Sequence, residues 1–312
     1  MKFRLVTLIG FVAAVTAIAV TTNHLTLHYP PAVHKMLVTR SASYLGVFEP
    51  GAPPGYEPVT DFARMADQQP NLVGYYSGWA QPFNTSFADR IASHDSVPYV
   101  QIDPKLASVS GIATGAYDAY LRSYADSVRD FGHAVVIGFG HEMNGDWYSW
   151  GYHHTSPMTF VAAWRHIVNV FHAEGAYNVT WLWTINQDRR GTGPIARWWP
   201  GARYVTWIGV DGYYVRPSDT FYSVFGRTIK EVQAFSNKPV LLSETAVAPR
   251  AGQFADILNL FHGVQQYGVL GLVWFDQKQS GTLYRQDWRL EGKPHADVAF
   301  RVGVRGLKLA QR

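Results

Sequence analysis

The chain contains no cysteine. That excludes a disulfide scaffold, a thiolate nucleophile and any zinc or iron–sulfur site ligated through sulfur, and it leaves the cellular compartment open. Charge is also scarce: Asp, Glu, Lys and Arg make up 16% of 312 residues, and net charge is +4. No run of five or six basic residues occurs, so nucleic acid is not expected as a partner. Several motifs are missing too. The segment FEPGAPPGYEP (48–58), behind the first apolar run of the globular part, has no GxGxxG, and no GxSxG nucleophile elbow occurs. HEMNG (141–145) is not HExxH, because Gly145 stands where the second His belongs, and the adjacent pair His153-His154 is poorly placed to converge on one ion. No metal and no cofactor is expected.

Long hydrophobic runs are confined to one place. Lys2 and Arg4 precede LVTLIGFVAAVTAIAV (5–20), which ends near Ala17-Ile18-Ala19. A positive flank, a short apolar core and an A-x-A site match a secretory signal, with an uncleaved signal anchor as the alternative. The protein is therefore expected outside the cytoplasm, touching a membrane only if that anchor is kept, and as a monomer. Residues 21–43 show no sustained period and read as a linker.

Hydrophobic residues make up 47%, enough for a sizeable core. Aromatics are plentiful, with 11 Trp and 18 Tyr. Rings exposed in a cleft grip sugar faces, and buried rings are the plainer alternative. From residue 44 onward one rhythm repeats: a short apolar run, a polar and aromatic loop, then an amphipathic stretch. The runs are YLGVF (44–48), LVGYYS (72–77), VPYVQI (97–102), AVVIGFG (134–140), VTWLWT (179–184), YVTWIGV (204–210), PVLLSE (239–244) and VLGLVWF (269–275). Each is nearly continuous, as parallel strands buried on both faces are. Helices are expected over 114–132, over 157–174 behind the Ser156 cap and Pro157, and over 252–266, with a long loop at 187–203. Eight strands alternating with helices predict an α/β fold, a single (β/α)8 TIM barrel over 44–300, with a tail at 301–312.

Barrel active sites lie where the strands end. The fourth run ends in His141-Glu142 and the seventh in Ser243-Glu244. Asn186 ends the fifth, Asp211-Gly212-Tyr213 ends the sixth, Trp274-Phe275-Asp276 ends the eighth, and Trp79 follows the second. Two carboxylates facing each other across a barrel mouth suit glycoside hydrolysis, where one protonates the leaving oxygen and the other attacks the anomeric carbon or activates water. Glu142, beside a His and beneath aromatics, suits a raised pKa. Glu244 is expected to be held ionised and oriented by the Tyr213 hydroxyl.

GHEMNGDWYSWG (140–151) resembles the signature of glycoside hydrolase family 26, and VTWLWTIN (179–186), VDGYY (210–214), LLSETA (241–246) and VWFD (273–276) agree with it. The resemblance spans about residues 44–290. It implies a retaining mechanism with Glu142 as acid/base and Glu244 as nucleophile, their carboxyl groups about 5–5.5 Å apart. It also implies His141 and Tyr213 as hydrogen-bonding neighbours, and Trp147 and Trp274 as lining for the sugar subsites. One position departs from the pattern: many mannanases of the family carry Arg four residues before the acid/base, where this chain has Gly138. The family also includes mixed-linkage β-glucanases and β-1,3-xylanases. The expected function is thus an endo-acting β-glycanase on a β-1,4-mannan-type polysaccharide. Mixed-linkage β-glucan or the cell's own exopolysaccharide is an alternative substrate, and a non-catalytic polysaccharide-binding barrel is an alternative of another class.

Overall fold

A computed structural model of the chain describes residues 37–188, 191–281 and 285–310. The expected signal and most of the expected linker lie outside the described residues. Eight strands form a closed parallel barrel in chain order. They are β1 (Tyr44–Phe48), β2 (Leu72–Gly78), β3 (Val97–Asp103), β4 (Val135–Phe139), β5 (Val179–Asn186), β6 (Trp207–Tyr214), β7 (Val240–Val247) and β8 (Gly271–Phe275). Each overlaps one of the apolar runs, β6 and β7 extending past theirs at the C-terminal end, and every strand residue but a few is buried, because helices cover the outside while side chains fill the inside.

The covering helices are α1 (Glu57–Ala66), α2 (Thr85–Ser93), α3 (Val109–Ala113), α4 (Asp118–Phe131), α5 (Pro157–Ala173), α6 (Arg227–Gln233), α7 (Gln253–Gln266) and α8 (Pro294–Arg305). Their sequences bury one stripe. In α4 that stripe is Leu121, Tyr124, Ala125, Val128 and Phe131, at three- and four-residue spacing. α5 starts as its sequence suggests: the Ser156 hydroxyl accepts from Thr159 N at 3.1 Å, and Pro157 sits in the first turn.

Two expectations change. The helix expected over 114–132 starts later, at Asp118, because residues 114–117 form the turn between the short α3 and α4, with Gly115 at φ +84°. The barrel boundaries expected at 44 and 300 also widen. α8 runs on to Arg305, and beyond it Lys308 N and Ala310 N donate to Ala42 O (2.8 Å) and Ser43 O (2.9 Å). Residues before β1 and after α8 therefore lie side by side under the barrel, at the end away from the strand C-termini. The loop expected over 187–203 is a loop carrying short 3-10 turns at Ile195–Trp198 and Ala202–Tyr204.

The barrel interior is polar at mid-height. Gln101 of β3 donates to Tyr99 Oη (2.7 Å) and to Thr184 Oγ1 of β5 (3.1 Å). Gly138 of β4 faces this group, and a Cβ there would fall 2.0 Å from Gln101 Oε1. A side chain at 138 would need Gln101 to move aside.

Candidate active site

Glu142 stands in the turn that leaves β4. Its backbone has φ +53°, following Gly140 at φ +54°. A non-glycine residue there costs about 1–2 kcal/mol, and the surroundings hold it. Glu142 N donates to Thr184 O (3.0 Å) and Gly145 N donates back to Glu142 O (2.9 Å). The carboxylate, 7% exposed, accepts from Asn186 Nδ2 on one oxygen and from Trp147 Nε1 (2.7 Å) on the other. Asn186 is placed by a reciprocal bracket with Asn144: Asn186 N donates to Asn144 Oδ1 (2.8 Å), and Asn144 Nδ2 donates to Asn186 O (2.9 Å). This is why the loop needs an Asn two residues after the Glu.

Glu244 lies inside β7, 5% exposed, and Asp211 of β6 is its register neighbour. Tyr213 donates to Oε2 at 2.8 Å and Tyr76 of β2 donates to Oε1. Tyr76 is held by stacking on Phe48, with ring centroids 5.0 Å apart. Asp211 is fully buried and accepts from Ser243 Oγ at 2.6 Å.

His141 completes the group. Its Nδ1 lies 3.0 Å from Asp103 Oδ1 in an ion-pair contact, and its Nε2 lies 3.1 Å from Tyr148 Oη. Trp150, buried in the same loop, donates to His141 O at 2.9 Å and stacks on Tyr148 at 4.3 Å, so the loop positions both neighbours.

Electrostatics depart from the sequence expectation at Glu244. Burial pushes its carboxyl up to about 7, against the lowering effect of His141; the charge of Glu142 pushes it further up, and the two tyrosine hydroxyls pull it down. The expectation of a firmly ionised Glu244 is therefore corrected: near pH 7 it is poised between its two forms. Burial alone would lower His141, yet Asp103 and the two glutamates raise it to about 9. Asp211 is pushed well above the carboxylate range by burial and by Glu244 and Glu142. Tyr76 and Tyr213 are pushed up by burial and by Glu244, and keep their protons as donors.

Seven of the nine residues singled out in the sequence meet here: His141, Glu142, Trp147, Asn186, Asp211, Tyr213 and Glu244. Two do not. Trp274 points out of the barrel, fully buried against Phe300 of α8 (5.2 Å), with Nε1 donating to Asp276 Oδ1 and Trp288 O. It cannot line a sugar subsite; Phe275 is the inward residue of that pair, 6.0 Å from the Tyr213 ring. Trp79 packs among Tyr117, Tyr120 and Phe139, outside the barrel wall. The aromatic surplus is mostly packing, since seven of the eleven tryptophans are fully buried. The sequence reading missed Tyr76, Asp103, Tyr148 and Trp288, the last packed 4.8 Å from the Tyr213 ring. Asp103 was the one with a signal, a carboxylate one residue past the third apolar run.

The same mouth carries a second carboxyl pair on the β1–β8 seam. Asp276 accepts from Leu290 N (2.8 Å) and is hydrogen-bonded to Glu49. Burial and the Asp276 charge push Glu49 up to about 10, and burial raises Asp276 to about 6, so Glu49 holds the proton and donates. Among the described residues no group of three His, Asp or Glu side chains is arranged to hold a metal ion, and no helix is long and apolar enough to cross a membrane.

The profile of glycosyl hydrolase family 26 matches residues 79–301. The chain belongs to glycosyl hydrolase family 26. It is therefore placed among enzymes that cleave O-glycosyl bonds. Endoglucanase H of Acetivibrio thermocellus is 28% identical over 271 residues, which covers 81% of this chain and 29% of that protein. The mannan endo-1,4-beta-mannosidase of Bacillus subtilis strain 168 is 24% identical over 204 residues, 60% of this chain and 54% of that protein. The chain thus spans under a third of the first relative and about half of the second. Among solved structures, the catalytic domain of a family 26 endo-beta-1,4-mannanase from Bacillus sp. JAMB-750 superposes with a TM-score of 0.66 at 13% identity, covering 88% of this chain and 94% of that one. A beta-mannanase from Bacteroides ovatus gives 0.63 at 16% identity, covering 87% and 91%. At these identities the structural likeness concerns the fold.

Proposed function

We propose that the protein is an exported, endo-acting, retaining β-glycanase. The observation that carries this reading is a pair of buried glutamates at the ends of β4 and β7, each carboxyl held by two side-chain donors. Glu142 gives its proton to the interglycosidic oxygen as a Glu244 oxygen attacks the anomeric carbon, and the C–O bond breaks. Water then gives a proton to Glu142, its oxygen bonds to the anomeric carbon, and Glu244 leaves as carboxylate. Attack needs ionised Glu244, so kcat/KM rises as pH rises through about 7.

A β-1,4-mannan-type polymer is the leading substrate, supported by the mannosidase relatives. A β-glucan is the second reading, favoured by two observations: Gln101 fills the space beside Gly138, and the endoglucanase likeness runs over 81% of the chain. Reducing-sugar release from linear mannan, galactomannan, mixed-linkage β-glucan, β-1,3-xylan and carboxymethyl cellulose decides between them, with Glu142→Ala and Glu244→Ala alongside. Activity on one polymer, lost in both variants, supports the pair and fixes the substrate. A first product in the α configuration, seen by proton NMR, would sink retention. Silence of a folded wild-type protein on all polymers would shift the reading to an unusual cell-surface glycan or a binding barrel.

A further inference from the structure

We propose that Asp103 is a positioning residue for the reaction: its carboxylate keeps His141 positively charged, and that charge, one tyrosine ring away from Glu244, keeps the Glu244 carboxyl ionised for attack. The proposal rests on the reading of Glu244 as nucleophile. Its basis is geometric: Asp103 at the end of β3 meets His141 just past β4, and Tyr76, beside the His141 ring, donates to Glu244 of β7.

Asp103 is the last residue of β3, and Gln101, two residues earlier, points into the barrel on the same face. That periodicity puts the Asp103 carboxylate inside the mouth, where it is 4% exposed. Oδ1 meets His141 Nδ1 at 3.0 Å, and neither atom has another hydrogen-bond partner. A buried carboxylate without hydrogen bonds on one oxygen is costly unless a cation stands against that oxygen. Lys105 Nζ, 3.4 Å from Oδ2, holds the other oxygen from the solvent side and keeps Asp103 in its charged form. Accordingly Asp103 lies below the ordinary carboxylate range: burial would raise it, and His141 and Lys105 together outweigh burial.

Every charged or titratable group around His141 acts in one of two ways. Asp103 from β3, Glu244 from β7 and Glu142 from its own turn all favour the imidazolium. Tyr148 Oη lies 3.1 Å from Nε2, where it is able to accept an N–H, and the Tyr76 ring from β2 lies 5.6 Å away. No cation faces the ring among these neighbours. Of the three carboxylates, Asp103 is the one not engaged in bond making, so its charge persists through both halves of the reaction. The imidazolium in turn is the principal force lowering Glu244 against its burial. Asp103 thus acts on the nucleophile through His141, touching neither sugar nor reacting atoms.

The test uses the full chain, labelled with carbon-13 and nitrogen-15, as wild type, Asp103→Asn and Asp103→Glu. In the wild type at pH 7.5, both ring nitrogens of His141 are expected to carry protons. A neutral imidazole there overturns the proposal before any variant is made. In folded Asp103→Asn the His141 titration falls by at least one pH unit and the Glu244 carboxyl titrates at higher pH, while Asp103→Glu returns both toward wild type. An unmoved His141, or a His141 that moves while Glu244 stays, overturns it. In kinetics on the polymer found active, kcat/KM of Asp103→Asn at pH 6 falls about tenfold more than at pH 8, through kcat with KM little changed. Lack of turnover by the wild type would refute the catalytic reading, whereas the two titrations decide the Asp103 coupling by themselves.

Discussion

At the scale of single residues, the mouth shows how neutral donors manage two buried acids. Glu244 keeps a usable carboxylate because two phenols and one imidazolium offset its burial. Removing either phenol should therefore move the acid limb of kcat/KM upward, since a carboxylate stripped of a donor binds its proton more tightly. Tyr213→Phe and Tyr76→Phe should each lower turnover about 10–100-fold, the worth of a hydrogen bond to a charged group, with the loss larger at pH 6 than at pH 8. A uniform loss at all pH values would count against the donors' role in ionisation. Glu142 and Glu244 were legible in the sequence because a carboxylate at the end of an apolar run has no packing reason to be there. Tyr76 was not legible, because a tyrosine in a strand of aromatics looks like core, and only the barrel's closure brings β2 opposite β7. Asp103 sits one residue past the third apolar run, VPYVQI, and is the last residue of β3.

Among the elements, the strand runs and the helices α4, α5 and α7 could be read, and the facing of the strands could not. A strand apolar on both sides carries no alternation to say which residues look inward. That is why Trp274 was expected in the cleft, while Phe275 occupies it and Trp274 is built into the contact with α8. The two tryptophans first assigned to sugar binding should now behave oppositely. Trp274→Ala should cost about 3–5 kcal/mol of stability, read as a lower urea midpoint. Trp147→Ala, which removes the Nε1 donor from Glu142, should leave the midpoint within about 1 kcal/mol and impair turnover. The late start of α4 was hidden because Tyr117 keeps the apolar spacing ahead of Asp118, and a turn with one glycine at φ +84° precedes the helix.

Across the whole molecule, the barrel closes at β1–β8, and the Glu49–Asp276 pair sits on that seam. Glu49 is raised from 4.5 to about 10, so the native state binds its proton over a range where the unfolded chain has lost it. Its contribution to stability is full below pH 4.5 and is lost as pH rises toward 10. Glu49→Gln should therefore raise the melting temperature relative to wild type by a margin that grows from pH 5 to pH 9; a margin constant with pH would show that the two carboxyls share no proton. The floor of the barrel has its own consequence. Residues 42–43 and 308–310 lie hydrogen-bonded alongside each other beneath the strands, so the two ends of the described fold leave from a common point on the side opposite the glutamates. A surface, bead or partner module joined through residue 310 holds the enzyme by its base, with the paired glutamates facing outward.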